Sequence, residues 1–557
     1  MNLTGAGIVI EELVAQGVET VFGYPGGFVI HIYDELHKNA HRINHVLTAH
    51  EQGAAHAADG YARVSGRVGV AVATSGPGAT NLVTGIANAY LDSVPVVFIT
   101  GNVPAHMLGR DAFQEIDIAS VTQPIVKHNY VVRDIKDLQY TLKEAFLIAQ
   151  SGRKGPVLVD IPRNVQIDSM EYDPGLKVTI SDVWKKTGNV DALDKALEAI
   201  EKSERPYVYC GGGVSASGTG ALVLELSKKL GAPVGLSMMG IGAIPHGYEF
   251  NVGMCGMHGR YASTVAQSEA DLVIALGVRF SDRATGNTKE YSKNCTVIHA
   301  DIDAAEIGKN VEPQISLCGD MREVLPMLLE KINPKPEGEW QARVRELISA
   351  GRGIHCDDGF TPWNVIKCVN SYFDDDTAVS TDVGQHQMWV AQHYRFEKPR
   401  RLITSGGLGA MGFGLGAAIG ACMANGRRKT VHFTSEGSFG MNLNELATAV
   451  TQNLPIVVVL LNNGVLGMVR QWQTLFFGER HSQTTLERKT DFPALARAFG
   501  AQGFSANSFD ELNAVLKTLA EGAPGNGPCL IDCGIDRDEK VFPMIPPGGS
   551  AKDIITK

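Results

Sequence analysis

Glu436 and Asn463 stand at the two ends of one strand-helix-strand unit, and a carboxylate paired with an amide is a donor set suited to Mg²⁺. Glu436 lies in Ser435-Glu436-Gly437-Ser438, which reads as a tight turn after the strand-like Thr430–Phe433. Met441–Gln452 has helical periodicity, and the apolar, Val-rich run Leu454–Leu461 has the mark of a buried parallel strand. That strand ends in Asn462-Asn463-Gly464. Both donors then fall at the carboxyl edge of one sheet, where open α/β folds bind ligands and where Mg²⁺ is usually shared with phosphates. Taken alone, the stretch also fits a generic β-α-β unit with a solvated turn carboxylate.

Glu51 lies at a strand-to-helix transition beside Gly53, Ala54 and Ala55, which leave room for a flat ligand. By itself its carboxylate suits the positive end of a helix. Gly26-Gly27 and Gly76-Pro77-Gly78 are glycine turns with no further signal of their own. Gly211-Gly212-Gly213 follows a strand and Asp301 ends a later one, which suggests a dinucleotide crevice lacking a clean GxGxxG. Arg283 reads first as a surface or ion-pairing residue, and Met411 and Trp472 read first as core.

Strands and helices alternate along the whole chain, which predicts an α/β fold of three doubly wound parallel-sheet domains. The expected domains are 1–165, 190–335 and 358–557, with linkers of mixed polarity near Arg163–Asn189 and Pro334–Gly338. At 557 residues, 44% apolar and 20% charged, the composition is that of an ordinary globular protein. A net charge of −10 argues against a nucleic-acid surface, which needs clustered cations. Nine cysteines without a CxxC pair point to reduced thiols and a cytoplasmic location, and the first helix lacks a basic leader. The uncharged run Leu402–Gly426 is rich in Gly and reads as a close-packed helix start beside a ligand rather than a membrane span.

The Ser435-Glu436-Gly437 to Asn462-Asn463 unit resembles the thiamine diphosphate motif, in which Gly-Asp-Gly precedes a helix, a strand and Asn-Asn. The match is closer than that superfamily. Ala112-Phe113-Gln114-Glu115, Gly256-Met257-His258-Gly259, Arg279-Phe280-Ser281-Asp282-Arg283, Gly384-Gln385-His386-Gln387, Gly467-Met468-Val469-Arg470-Gln471-Trp472 and Met544-Ile545-Pro546 resemble the acetohydroxyacid (acetolactate) synthase catalytic-subunit family over essentially the whole chain. The resemblance implies pyrimidine-binding, central FAD-binding and diphosphate-binding domains, in that order. It implies Mg²⁺ held by Glu436, Asn463 and the carbonyl of Val465, and a catalytic set of Glu51, Gly26, Gly27, Gln114 and Lys127. Thiamine diphosphate would meet Gly76, Val383, Gly384, Gln385, His386, Gly409, Met411, Gly437, Ser438, Gly467 and Met468. FAD would meet Gly211, Gly212, Gly213, Met257, His258, Gly277, Arg279, Asp301, Ile302 and Asp320, and substrate would meet Arg283, Phe113 and Trp472.

The implied reaction decarboxylates pyruvate and ligates the hydroxyethyl unit to a second 2-oxoacid, pyruvate or 2-oxobutyrate, in branched-chain amino acid biosynthesis. A homodimer or tetramer and a small regulatory subunit are implied as partners, with no nucleic acid or membrane. Two departures stand out. Glu436 replaces the motif's Asp, lengthening the arm by about one C–C bond, ~1.5 Å, and Ser281 replaces an Asp in the Arg-Phe-Asp-Asp-Arg element. Another thiamine-dependent 2-oxoacid decarboxylase or oxidase, or a catalytically weakened paralogue, is the competing reading.

Overall fold

The computed structural model describes residues 1–181, 192–355, 357–521 and 527–557. Part of the first expected linker, the first two residues of the expected 190–335 domain, and Cys356 lie outside the described residues. Three six-stranded sheets organise the chain, and all their strand pairs are parallel. The α/β, doubly wound architecture is therefore as expected.

The first sheet runs Asn44–Leu47, Thr20–Tyr24, Gly69–Ala73, Val96–Asn102, Val157–Pro162, His128–Val131. The second runs Asn251–Met254, Val234–Leu236, Pro206–Cys210, Leu272–Leu276, Thr296–Asp301, Ile315–Cys318. The third runs Leu402–Ile403, Ala378–Thr381, Thr430–Thr434, Ile456–Asn462, Cys529–Gly534, Gln502–Ala506. Central strands such as Gly69–Ala73 and Leu272–Leu276 are buried throughout, because helices cover both faces.

In each sheet the chain winds outward in opposite directions from one neighbouring pair: Thr20–Tyr24 with Gly69–Ala73, Pro206–Cys210 with Leu272–Leu276, and Ala378–Thr381 with Thr430–Thr434. Connections diverge at such a switch point and leave a crevice beyond the carboxyl ends of the two strands. The three crevices open at Gly26 and Gly76, at Gly211 and Gly277, and at Val383 and Glu436.

The first and third domains are joined by two helices of small residues, Glu51–Ser65 and Phe413–Ala424. They approach so closely that a Cβ on Gly60 would stand 2.1 Å from the Ala417 carbonyl, and one on Gly420 1.8 Å from that of Ala57. Around this contact Ala54, Ala58, Leu415, Ala418 and Leu446 share one apolar core. A buried polar lock lies beside it. Arg63 bridges Asp59 at 2.5 Å and Asp92 at 2.9 Å, and Asp92 accepts the N–H groups of Gly406 and Gly407 at 3.0 and 2.8 Å.

Several local expectations change. Ser435-Glu436-Gly437-Ser438 is no turn: Ser435 precedes, and Glu436 begins, the helix Glu436–Asn442. The helix expected over Met441–Gln452 breaks at Leu443-Asn444 and resumes as Glu445–Thr451. Arg163–Ile167 is a helix and Ser169–Glu171 pairs antiparallel with Asn2–Thr4, so this stretch is built into the first domain. Beyond the second expected linker, helix Glu339–Arg352 returns to the middle sheet, where Trp340 Nε1 donates to the Pro206 carbonyl at 3.0 Å. Among the described residues no helix is long and apolar enough to cross a membrane, and no cysteine is in a disulfide.

Candidate active site

A cavity of about 1580 Å³ runs from the second crevice to the third. That exceeds the usual range of one small-molecule pocket and leaves room for two cofactor-sized ligands.

At the second crevice the two switch-point strands meet backbone to backbone. Gly213 N–H donates to the Gly277 carbonyl at 3.0 Å, and a Cβ on Gly213 would stand 2.7 Å from Gly277 Cα. Gly277 itself has φ +58°, a conformation that favours glycine. The Gly211 N–H donates to Leu276 carbonyl at 2.9 Å, so the glycine loop is held as a second-strand extension with its rim facing the cavity. Gly212, Gly213, Gly277, Arg279, Asp301, Ile302 and Asp320 all line that space. Asp301 is 7% exposed and burial pushes its carboxyl up to about 6, although Asp303 N–H donates to it at 2.9 Å. Asp320 caps helix Met321–Lys331, and its hydrogen bond and ion pair with Arg322 hold its carboxyl below the usual range.

Met257 and His258 form one wall. Met257 N–H donates to the Arg283 carbonyl at 2.7 Å, and burial lowers the His258 imidazole to about 4, so the ring is neutral. At the mouth Arg283 lies over Trp472, its guanidinium carbon 5.8 Å from the ring centre. Both residues line the cavity.

The third crevice supplies Val383, Gly384, Gly409, Met411 and Met468 to the same space. Ser438 Oγ donates to the Val383 carbonyl at 2.9 Å, tying the helix Glu436–Asn442 to the loop after Ala378–Thr381. Gln385 Nε2 donates to Gln471 Oε1 at 3.0 Å and to the Glu539 carbonyl at 2.8 Å. Gln385 Oε1 in turn receives Asn463 Nδ2 at 3.5 Å, and Gly467 is packed against that amide. His386 is buried with burial lowering its ring to about 4, and its Nε2 has no partner among the described residues.

Glu436 lies behind this wall, 4% exposed, with no hydrogen-bond partner among the described residues at either carboxylate oxygen. Burial pushes its carboxyl up to about 7; its own N–H and those of Gly464, Asn463 and Val465 pull the other way without completing a hydrogen bond. Asn463 Oδ1 accepts the Val465 N–H at 3.2 Å, so the three residues expected to hold a metal sit together. A buried carboxylate with two idle oxygens beside an amide oxygen fits a cation. Among the described residues there is no cluster of three His, Cys, Asp or Glu, so such an ion would need oxygens from its ligand.

The first crevice forms a separate group. Glu51 opens helix Glu51–Ser65 and receives Asn81 Nδ2 at 2.9 Å, while its other oxygen faces Gly78. Gly76 (φ +58°) packs against the Gln114 backbone, and Gly26 against Thr74. Phe113 is 82% exposed on the same loop as Gln114. Lys127 Nζ is held by the carbonyls of Ile148 and Ser151 at 2.5 and 2.7 Å, and burial lowers its pKa to about 8. Glu51, Gly26, Gly27, Gly76, Phe113, Gln114 and Lys127 are all absent from the cavity lining.

Sequence reasoning missed four first-domain and middle-domain residues that the structure brings to the cavity. Asp92 pins the Gly406-Gly407 loop, and Arg153 ion-pairs with Glu306 at 2.6 Å beside Lys154. The available signal was a pair of cations between Gly152 and Gly155, just before a strand.

Three family descriptions match the chain in order: the thiamine pyrophosphate enzyme N-terminal TPP binding domain over residues 3–121, the central domain over 193–328, and the C-terminal TPP binding domain over 382–533. The chain is 42% identical to the acetolactate synthase isozyme 2 large subunit of Escherichia coli (strain K12), covering 100% of both chains. It is 43% identical to the acetolactate synthase of Arthrospira platensis over 100% of this chain and 98% of that one. It is 42% identical to the probable acetolactate synthase large subunit of Methanocaldococcus jannaschii, over 99% and 95%.

Proposed function

The chain belongs to the acetolactate synthase large-subunit family of thiamine pyrophosphate enzymes, and from that premise we propose how its own residues divide the work. It acts as an acetolactate synthase, joining a two-carbon unit from pyruvate to a second 2-oxoacid, pyruvate or 2-oxobutyrate. The observation that carries the reading is the single cavity that joins the Gly213–Gly277 cradle, the Val383–Met411 wall and the Arg283–Trp472 mouth.

Bound thiamine diphosphate supplies the electron sink through which a 2-oxoacid loses CO₂. Glu436, Asn463 and the Val465 carbonyl would hold Mg²⁺; the two idle oxygens of Glu436 support this. Gly76 apart, the residues that would hold the cofactor are Val383, Gly384, Gln385, His386, Gly409, Met411, Gly437, Ser438, Gly467 and Met468, with Met411 as the bulky apolar support. FAD would take the second crevice, where the Gly213–Gly277 contact would let a pyrophosphate approach the backbone and Lys154 and Arg322 would supply positive charge. The reaction has no net redox, so the flavin is structural or positional.

Arg283 holds the carboxylate of the 2-oxoacid through its fork of donors, and Trp472 narrows the acceptor space. Glu51 would hydrogen-bond the aminopyrimidine through the carboxylate oxygen that Asn81 leaves free. Gly26, Gly27, Gly76, Phe113, Gln114 and Lys127 accompany it. These residues gather at the first crevice, apart from the third-domain wall of the chain's own cavity, which supports a site completed by the first domain of one subunit and the third of another, with a homodimer as the minimum assembly. The large-subunit names of the relatives support a separate small regulatory subunit.

Purified protein given pyruvate, thiamine diphosphate, Mg²⁺ and FAD should yield 2-acetolactate. Acetaldehyde or acetate as the sole product would instead make it a simple decarboxylase or oxidase.

A further inference from the structure

Glu445 begins the helix Glu445–Thr451 in the third domain and is fully buried, yet two of its three partners belong to the first domain. Its Oε1 accepts the His50 N–H at 3.0 Å, and its Oε2 accepts the Ala49 N–H at 3.2 Å. Thr448 Oγ1 donates to Oε2 at 2.7 Å and fixes the carboxylate's rotation. Ala49 and His50 are the two residues just before Glu51. On the far side Gly53 makes room for the clasp, since a Cβ there would stand 2.0 Å from Glu445 Oε1.

The 15-residue helix Glu51–Ser65 thus enters its first turn with its preceding peptides held by a carboxylate from another domain. Negative charge at that end is favoured by the helix dipole. A buried carboxylate is nevertheless a poor route to stability alone, because desolvation offsets much of the attraction. Position is a better account. Glu51 has few restraints of its own, with one side-chain hydrogen bond from Asn81, so the path of residues 49 and 50 decides where its carboxylate points.

We propose that Glu445 is a positioning residue that sets the Glu51 carboxylate for its work on the aminopyrimidine, a role that rests on the reading of Glu51 given above. The same stretch of chain begins at Glu436, so one segment carries the metal-side acid at its start and the clasp on Glu51 at its end.

The test compares Glu445→Gln, Glu51→Gln, the double variant and the near-isosteric Thr448→Val. Three readouts are taken: amide hydrogen exchange over residues 48–56 in cofactor-free protein, deuterium exchange at C2 of bound thiamine diphosphate, and apparent affinity for thiamine diphosphate. Glu445→Gln should speed amide exchange at 49 and 50 by about tenfold, the order of one charge-assisted hydrogen bond. It should slow C2 exchange by roughly tenfold to a hundredfold, the scale of a small misplacement of a reacting group, and leave cofactor affinity within about twofold because no cofactor contact is lost. Thr448→Val should give the same pattern at smaller size, and Glu445→Gln should add nothing once Glu51 is Gln. Unchanged C2 exchange in both Glu445→Gln and Thr448→Val, or effects that multiply in the double variant, would overturn the proposal. Unchanged C2 exchange in Glu51→Gln would instead overturn the underlying reading of Glu51.

Discussion

Arg283 of the middle domain and Trp472 of the third lie face to guanidinium at the cavity mouth, 5.8 Å apart, and the indole sits edge-on to Phe476 at 5.8 Å. Arg283 is 65% exposed and its ion pair with Asp282, at 3.1 Å, is a weak surface contact. Its fork is therefore available to a carboxylate while the indole fixes its plane.

Arg283→Lys keeps the charge and loses the bidentate geometry, so kcat/KM for pyruvate should fall by roughly tenfold to a hundredfold. Trp472→Leu should chiefly shift the ratio of 2-oxobutyrate to pyruvate products, within the ~1–3 kcal/mol by which an apolar pocket senses a methylene. Steady-state kinetics and product ratios check both, and an unchanged ratio removes Trp472 from the acceptor space.

Glu436 has a longer arm than the family's Asp, and near-octahedral Mg²⁺ tolerates little displacement of a ligand. Apparent affinity for thiamine diphosphate should be low and should recover with excess Mg²⁺ or with Mn²⁺. Ser435→Gly with Glu436→Asp should tighten cofactor binding severalfold by titration calorimetry. Equal affinity in parent and variant would mean that the helical start at Glu436 already accommodates the longer arm.

Purified protein should be yellow. Gly213→Ala puts a methyl 2.7 Å from Gly277 Cα, so the cradle must open and flavin absorbance should drop while the protein stays folded. Full activity in colourless parent protein, unaffected by added FAD, would exclude a flavin from the second crevice.

His56 and His386 are completely buried, and burial lowers both rings to about 4. Each stays neutral when folded but takes up a proton near ~6.5 once unfolded. The unfolded chain therefore binds more protons between those values, and stability falls as pH drops from about 6.5 to 4, by up to ~3 kcal/mol per ring. The Tm of cofactor-free protein should decline across that window, and His56→Leu should flatten the decline. An identical slope in the variant would assign the acid sensitivity elsewhere.

The strand runs were legible in the sequence because fully buried parallel strands leave continuous apolar stretches; the expected Thr430–Phe433 and Leu454–Leu461 match strands Thr430–Thr434 and Ile456–Asn462 to within about two residues. Ser435-Glu436-Gly437-Ser438 was misread because Ser and Gly signal turns, although Ser followed by an acid is equally a helix start. Asp92 and Glu445 left no local pattern, and Arg153 left only the pair of cations between Gly152 and Gly155. Each acquires its role from a partner more than a hundred residues away, at Gly407, Glu306 and His50, and only the folded chain brings those together.

In the dimer proposed above, with Glu51 apart from the chain's own cavity, the two halves of a site are exchangeable between subunits. A subunit carrying Glu51→Gln still offers a sound metal-side half, and one carrying Glu436→Ala still offers a sound proton-side half. Neither homodimer has an intact site, but a mixed dimer has one intact site and one doubly damaged. Co-refolding equal amounts should therefore restore about a quarter of the parent activity, since random pairing in a two-fold assembly makes half the dimers mixed. Two inactive proteins that rescue one another on mixing would be the mark of subunit complementation, and a dead mixture would place both halves within a single chain.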